Sequence, residues 1–295
     1  MSRIPVLKTY KLYIGGQFPR TESGRYYEVN DKSGKLVANV CLGSRKDFRN
    51  AVTAALPAQG SWAAKTAYNR SQILYRVAEM LEARRVQFLE ELEVLGFKKA
   101  AAEAEVDAAI DRLVYFAGWA DKYQQLFSSV NPVAAPFFNF SVLEPMGVVA
   151  AVAPEESPLA GLCTIIATTI VGGNSVIVLA SEKMPLSAIS LAEVLNSSDV
   201  PGGVVNIITG NTQELLSHFA SHIEVKALVY ARTDVAEIKT ISELASASVK
   251  RVILYNKVKS WTSAETEHPY LIKDTQEVKT TWHPVEQIGG GGAKY

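Results

Sequence analysis

The sequence predicts an α/β fold: a Rossmann-like parallel sheet of about five strands with helices on both faces. Three features lead there. Short apolar runs alternate with helix-length segments from Val148 to Tyr255. Glycine-bearing turns separate them, at Gly172-Gly173-Asn174 and Thr209-Gly210. The order strand, loop, helix, strand is that of a βαβ unit, whose parallel strands need a crossover connection.

Along the chain, Tyr10 to Arg20 reads as an opening hairpin around Gly15-Gly16, flanked by β-rich residues. Asn30 to Gly34 is a turn leading into a strand, Leu36 to Cys41. Asp47 to Ala58 has helical spacing and ends at a Gly60-Ser61 break before Trp62. Tyr68 to Leu95 places Ile73, Leu74, Val77, Leu81, Phe88, Leu89 and Leu92 on one face of a long helix, with Gly96 as its stop. Ala100 to Phe127 repeats that pattern, Asn131 to Pro136 breaks it, and Phe137 to Leu143 is a strand.

The parallel region opens with a turn at Glu144-Pro145-Met146-Gly147. Its expected strands are Val148–Val152, Ser175–Leu179, Val204–Ile208, Val225–Tyr230 and Lys250–Tyr255. Its expected helices are Leu159–Val171, Ser187–Leu195, Thr212–Ser221 and Thr233–Ala247. Residues 257–275 are polar and irregular. Glu277 to Val285 alternates like one strand, which needs a partner: Phe137 to Leu143, or another subunit. Gly289 to Gly292 reads as flexible.

Balanced charge, 30 basic against 30 acidic residues, gives no footprint for nucleic acid and no polybasic patch for a membrane. No apolar run reaches the roughly 18 residues of a membrane span, and Met1 to Pro5 lacks a signal core. Cys41 and Cys163 sit in apolar patterns with no CxxC spacing, so a reducing, cytoplasmic setting without structural zinc is expected. His218 and His222 lie four apart with no third ligand near them, and no metal site is expected.

Several pieces, in order, resemble the aldehyde dehydrogenase superfamily. They are Tyr13-Ile14-Gly15-Gly16-Gln17-Phe18, Trp62 with Arg70, Tyr115 to Ala120, Glu144 to Val149, Gly173 to Val178, Glu182 with Pro185-Leu186, and Pro201 to Gly210. Glu277-Val278-Lys279-Thr280 looks like the family's C-terminal oligomerisation strand. The resemblance implies a cofactor-binding domain over 1–128 and 144–256, an oligomerisation β-arm over 129–143 and 274–286, and a tail over 287–295. Only about 25 residues separate the last sheet strand from the arm, too few for a further domain, so the family's catalytic domain is expected to be absent between them. The layout is similar to the truncated, non-catalytic second unit of two-unit members of the superfamily.

The resemblance also assigns chemical positions. Glu156 stands where the family has the asparagine that donates to an oxyanion; a carboxylate there repels developing negative charge and is read as a solvated loop acid. Leu179 replaces the ribose-binding lysine, while Glu182 matches the ribose-binding glutamate or else serves as a helix-start acid before Pro185. Ala231-Arg232-Thr233-Asp234-Val235-Ala236 replaces the phosphate turn with both glycines changed to alanine, and Arg232 is read as a surface arginine next to Asp234. Tyr255 takes the place of the general-base glutamate, and the nucleophile has no counterpart, Cys163 reading as core. Vestiges of cofactor binding would be Ala153, Pro154, Glu182, Gly210 and Arg232.

The expectation is therefore a family pseudoenzyme: no catalytic residues, no cofactor held, and association with itself or with a full-length aldehyde dehydrogenase. The alternative is an NAD(P)-dependent oxidoreductase or nucleotide-binding protein with altered chemistry, using Glu182, Arg232 and Thr233.

Overall fold

A computed structural model describes residue 4 and residues 6–285; the expected flexible tail lies outside the described residues. The chain opens with β1 (Thr9–Tyr10), β2 (Tyr26–Asn30) and β3 (Leu36–Cys41), a small sheet in the order β1-β3-β2. The Tyr10–Arg20 hairpin is reduced to a tight turn in which Ile14 and Gln17 exchange backbone hydrogen bonds at 3.0 Å. Gly15 and Gly16 both sit at positive φ, 61° and 77°, which a two-residue hairpin turn of this hand requires.

Next come α1 (Arg45–Ala63), α2 (Ala67–Ala83), α3 (Arg85–Val94), α4 (Lys99–Trp119) and α5 (Tyr123–Phe127). Three expected boundaries are corrected here. The first helix does not stop before Gly60-Ser61: a Ser44–Asp47 capping box starts it, and the buried Trp62 pins its end by donating Nε1–H to the Ile170 carbonyl at 2.7 Å. The helix expected over Tyr68–Leu95 breaks at Arg84, whose guanidinium turns aside to Gln87 and Glu193. The helix expected over Ala100–Phe127 breaks after Trp119, where Gln124 reorients to bond both backbone groups of Leu143, at 2.6 and 3.2 Å.

After β4 (Ser129–Asn131) and β5 (Phe137–Pro145) the alternation runs β6 (Val148–Val152), α6 (Ala160–Val171), β7 (Ser175–Leu179), α7 (Leu186–Asn196), β8 (Val205–Ile208), α8 (Thr212–Ser221), β9 (Val225–Tyr230), α9 (Val235–Ser246) and β10 (Arg251–Leu254). The five strands are all parallel, in the order β10-β9-β6-β7-β8. β6 and β7 are fully buried and feed both faces. Val149, Ala151, Val176 and Val178 pack with α6, α7, α2 and α4, while Val148, Ala150, Val152, Ile177 and Leu179 pack with α1, α8 and α9. Continuous apolar runs follow from that double coverage. Among the described residues no helix is long and apolar enough to cross a membrane.

From β10 the chain passes through Tyr255–Thr275, which holds a 3-10 turn and α10 (Tyr270–Asp274), directly into β11 (Gln276–Pro284). Of the two partners open to this strand, the structure pairs it with β5, antiparallel along all nine residues, giving a sheet in the order β11-β5-β4.

Candidate functional site

In a parallel sheet the crevice at the carboxyl ends of the strands is where ligands bind. Here those ends are Val152, Leu179, Ile208, Tyr230 and Leu254. One side chain, from the segment after β9, reaches the segments that follow β6, β7 and β8. Arg232, following β9, donates from Nε to the Ala153 carbonyl at 2.8 Å, from one terminal nitrogen to Thr212 Oγ1 at 2.7 Å, and from the other to the Ala180 carbonyl at 3.4 Å. Its guanidinium also pairs with Glu155 at 2.7 Å. Glu155 in turn accepts from the Ser181 hydroxyl at 2.6 Å and from the Glu182 and Lys183 amides, both at 3.2 Å. Arg232 is therefore not the surface arginine expected. Its side chain is 11% exposed, because the loops after β6, β7 and β8 all offer it acceptors.

The helix N-termini beside the crevice, which in such folds attract phosphate, are capped from within. Asp234 accepts from the Ala236 and Glu237 amides at 2.8 and 3.0 Å at the start of α9. Glu182 accepts from Asn211 Nδ2 at 3.0 Å and the Thr212 amide at 3.1 Å, so it is a helix-start acid, but for α8 rather than for the helix after Pro185. Buried Glu105, reaching across from α4, accepts from the Ser157 hydroxyl at 2.7 Å and from the Leu159 and Ala160 amides at 3.0 and 2.9 Å, capping α6. Glu105→Ala is expected to lower stability by about 1–2 kcal/mol, the loss of a helix cap, measured by urea denaturation; an unchanged midpoint would show that water replaces the cap.

Glu156 is exposed, as a loop acid should be; its neighbour Glu155 makes the contacts. Ala153 and Pro154 are buried under the crevice, and Gly210 packs against Gly43, where a Cβ would meet backbone at 3.1 Å. Thr233 is exposed and Leu179 is core. The Tyr255 phenol donates to Asp274 at 3.1 Å; burial pushes its pKa well up, reinforced by that carboxylate, so it is a fixed donor and a poor base. Cys163 is fully buried, which pushes its thiol up and away from nucleophilic use. His218 and His222 close the end of α8, His222 lying edge-on to Phe48.

The segment Tyr255–Thr275 is built onto this region. Trp261, 2% exposed, lies on Gly161 at the start of α6; a Cβ there would meet the indole at 3.2 Å and Pro154 at 2.4 Å. Arg112, 1% exposed, reaches from α4 to the Thr266 hydroxyl at 3.0 Å, the Ser263 carbonyl at 2.5 Å, the Trp261 carbonyl at 3.3 Å and the Glu267 carboxylate. Within this segment Tyr255, Val258, Trp261, His268 and Leu271 line a cavity of about 340 Å³. Glu155, Glu105, Arg112 and Trp261 were not singled out by sequence. The available signal was Glu105 and Arg112, seven apart on the buried stripe of a helix, where unpaired charges do not survive.

The model of the aldehyde dehydrogenase family matches residues 18–262. DhaS of Bacillus subtilis is 31% identical over 253 residues, covering 83% of this chain and 50% of DhaS. Cytosolic 10-formyltetrahydrofolate dehydrogenase of Mus musculus is 29% identical over 261 residues, 86% of this chain and 29% of that protein. The chain thus spans half or less of the curated relatives it matches. Among solved structures, the NAD+ complex of an aldehyde dehydrogenase from Bacillus cereus superposes with a TM-score of 0.80 at 25% identity, covering 86% of this chain and 52% of that one. PnpE of Pseudomonas sp. WBC-3, in complex with nicotinamide adenine dinucleotide, gives 0.79 at 28% identity, with 83% and 50% covered.

Proposed function

The chain belongs to the aldehyde dehydrogenase family, and from that premise we propose that it is a non-catalytic member: a structural or regulatory subunit that associates through its three-stranded arm with a second copy or with a full-length aldehyde dehydrogenase. The observation that carries this reading is the Arg232–Glu155 pair lying across the strand ends. The residues present do not fit a dinucleotide. Helix amides suited to a pyrophosphate are bonded to Asp234, Glu182 and Glu105, and Leu179 offers no donor where the resemblance expects lysine. The side chains assigned to oxyanion and base chemistry are an exposed carboxylate and a phenol held as a donor.

The internal layout supports the same reading. Between β10 and the arm the chain spends only Tyr255–Thr275, and it uses them to seal its own surface through Trp261 and Arg112.

The alternative, a nucleotide-binding oxidoreductase of altered chemistry, is favoured by one feature: a crevice of about 570 Å³ lined by Glu182, Arg232 and Thr233. The experiment that tests the preferred reading is association. Size-exclusion chromatography with light scattering, on the chain alone and mixed with a full-length aldehyde dehydrogenase from the same source, is expected to show a discrete self-complex or mixed complex. A monomer in both samples would overturn it.

A further inference from the structure

We propose that the cavity between the small N-terminal sheet and the turn that follows Pro19 binds a small organic dianion, a molecule with carboxylate or phosphate heads. The cavity holds about 320 Å³, at the lower end of the roughly 300–1,000 Å³ of small-molecule sites and too small for a dinucleotide. It shares no lining residue with the crevice at the strand ends. Its occupancy does not depend on whether the chain associates with another.

The sheet supplies one wall. Antiparallel pairing sets Tyr26 of β2 opposite Cys41 of β3, and parallel pairing sets Thr9 of β1 opposite Asn39. Residues 39 and 41 are two apart on one strand, so these four side chains share a face. The other wall is the segment Arg20–Arg25, and it is fixed from within. Thr21, 5% exposed, donates its hydroxyl to Asp47 at 2.6 Å, and Asp47 also accepts from the Ser44 amide at 2.8 Å and the Glu22 amide at 3.2 Å. The Gly24 amide donates to the Thr21 carbonyl at 3.1 Å, closing a turn that Gly24 makes at a φ of 69°. The Leu42 amide donates to the Arg25 carbonyl at 3.1 Å, tying the far end of the turn to β3. Thr209 fixes the floor by donating its hydroxyl to the Cys41 carbonyl at 2.7 Å. Walls already held in this way need little further ordering when a ligand enters.

The lining selects the charge of the ligand. Arg20 and Arg25 both line the cavity, and no carboxylate does. Arg25 forms an exposed pair with Glu214 at 2.7 Å, of a kind that contributes little, and among the described residues Arg20 has no carboxylate partner. Asp47, behind the turn, is occupied by Thr21, Glu22 and Ser44. Glu28, opposite Asn39 on β2, shares the sheet face but is not among the lining residues. Each guanidinium is a planar fork that takes two oxygens of a carboxylate or phosphate through parallel N–H bonds. Asn39 adds an uncharged donor: its Oδ1 is buried with no partner, which leaves the Nδ2 end of the amide to meet the cavity. Two forks and a neutral donor with no acid among them fit two negative charges. Cys41, 4% exposed, and the ring of Tyr26 give the body of the molecule an apolar surface to lie on.

The test is isothermal titration at low salt, with glutarate for the carboxylate head and phenyl phosphate for the phosphate head. Wild type is expected to bind at least one of them with a Kd below about 1 mM, and the tighter probe identifies the head. Butyrate, with a single carboxylate, is expected to bind at least about tenfold more weakly. Arg20→Gln and Asn39→Asp are each expected to weaken binding about tenfold, the first by removing a fork and the second by setting a carboxylate beside the ligand. Arg20 is exposed, so Arg20→Gln is expected to leave the melting temperature of the unliganded chain unchanged. Lys183→Gln, which removes an exposed cation from the crevice at the strand ends, is expected to bind the probe like wild type. No saturable heat with either probe up to about 10 mM overturns the proposal. So does butyrate binding as tightly as the dianions. Binding that survives both Arg20→Gln and Asn39→Asp, or that disappears in Lys183→Gln, also overturns it, since the anion then sits elsewhere.

Discussion

Arg112→Leu is expected to lower the free energy of unfolding by about 3–5 kcal/mol, the range for removing one partner of a buried ion pair. Arg112 is 1% exposed, and its donors hold Thr266, Ser263, Trp261 and Glu267 together. Leucine fills some of the volume but leaves the Glu267 carboxylate without its arginine donor, and the Ser263 and Trp261 carbonyls with Thr266 alone. Apolar packing of Trp261, Leu271 and Ile272 and the Asn174 bond to the Thr275 carbonyl then hold Tyr255–Thr275, and Trp261 loses the strut behind its backbone. Two readouts follow: a lower urea midpoint and a red-shifted tryptophan emission. Arg112→Lys restores charge without the planar fork and is expected to recover only part of the loss. A midpoint within about 0.5 kcal/mol of wild type would show that this segment is held by apolar packing alone.

Arg232→Ala is expected to cost about 2–3 kcal/mol, less than Arg112 because Glu155 keeps its bonds to Ser181 and to the Glu182 and Lys183 amides. The Ala153 and Ala180 carbonyls and the Thr212 hydroxyl lose their donor. In a double-mutant cycle with Glu155→Ala the coupling energy is expected at about 1–2 kcal/mol, since the two groups touch and are mostly buried. Arg232→Ala is not expected to gain nucleotide affinity: Asp234 still occupies the amides of α9, and Leu179 is still apolar. A gain in NAD+ binding by this variant would mean that the arginine alone closes the site.

The parallel sheet was readable from residues because its inner strands are buried on both faces. Val148–Val152, Ser175–Leu179 and Val225–Tyr230 have the ends that their apolar runs suggested. The long helices were misread where a tertiary contact overrides periodicity. Arg84 turns to Glu193 and Gln124 turns to Leu143, and neither partner is near in sequence. The same limit explains the site. That Glu182 caps a helix could be foreseen, but which helix depends on β7 and β8 lying side by side. Arg232 looked like a surface residue because its acceptors, Ala153, Ala180 and Thr212, come from three loops that only the fold brings together. The β11–β5 pairing was one of two open choices, since an alternating pattern states that a strand needs a partner without naming it.

On the proposed reading, the strand ends hold the protein's own side chains in place of a cofactor. Isothermal titration of the wild-type chain with NAD+ and NADP+ tests it most directly. The expected result is heat indistinguishable from dilution for both. A saturable heat with a Kd below about 1 mM, equivalent to more than about 4 kcal/mol of binding energy, would contradict the account.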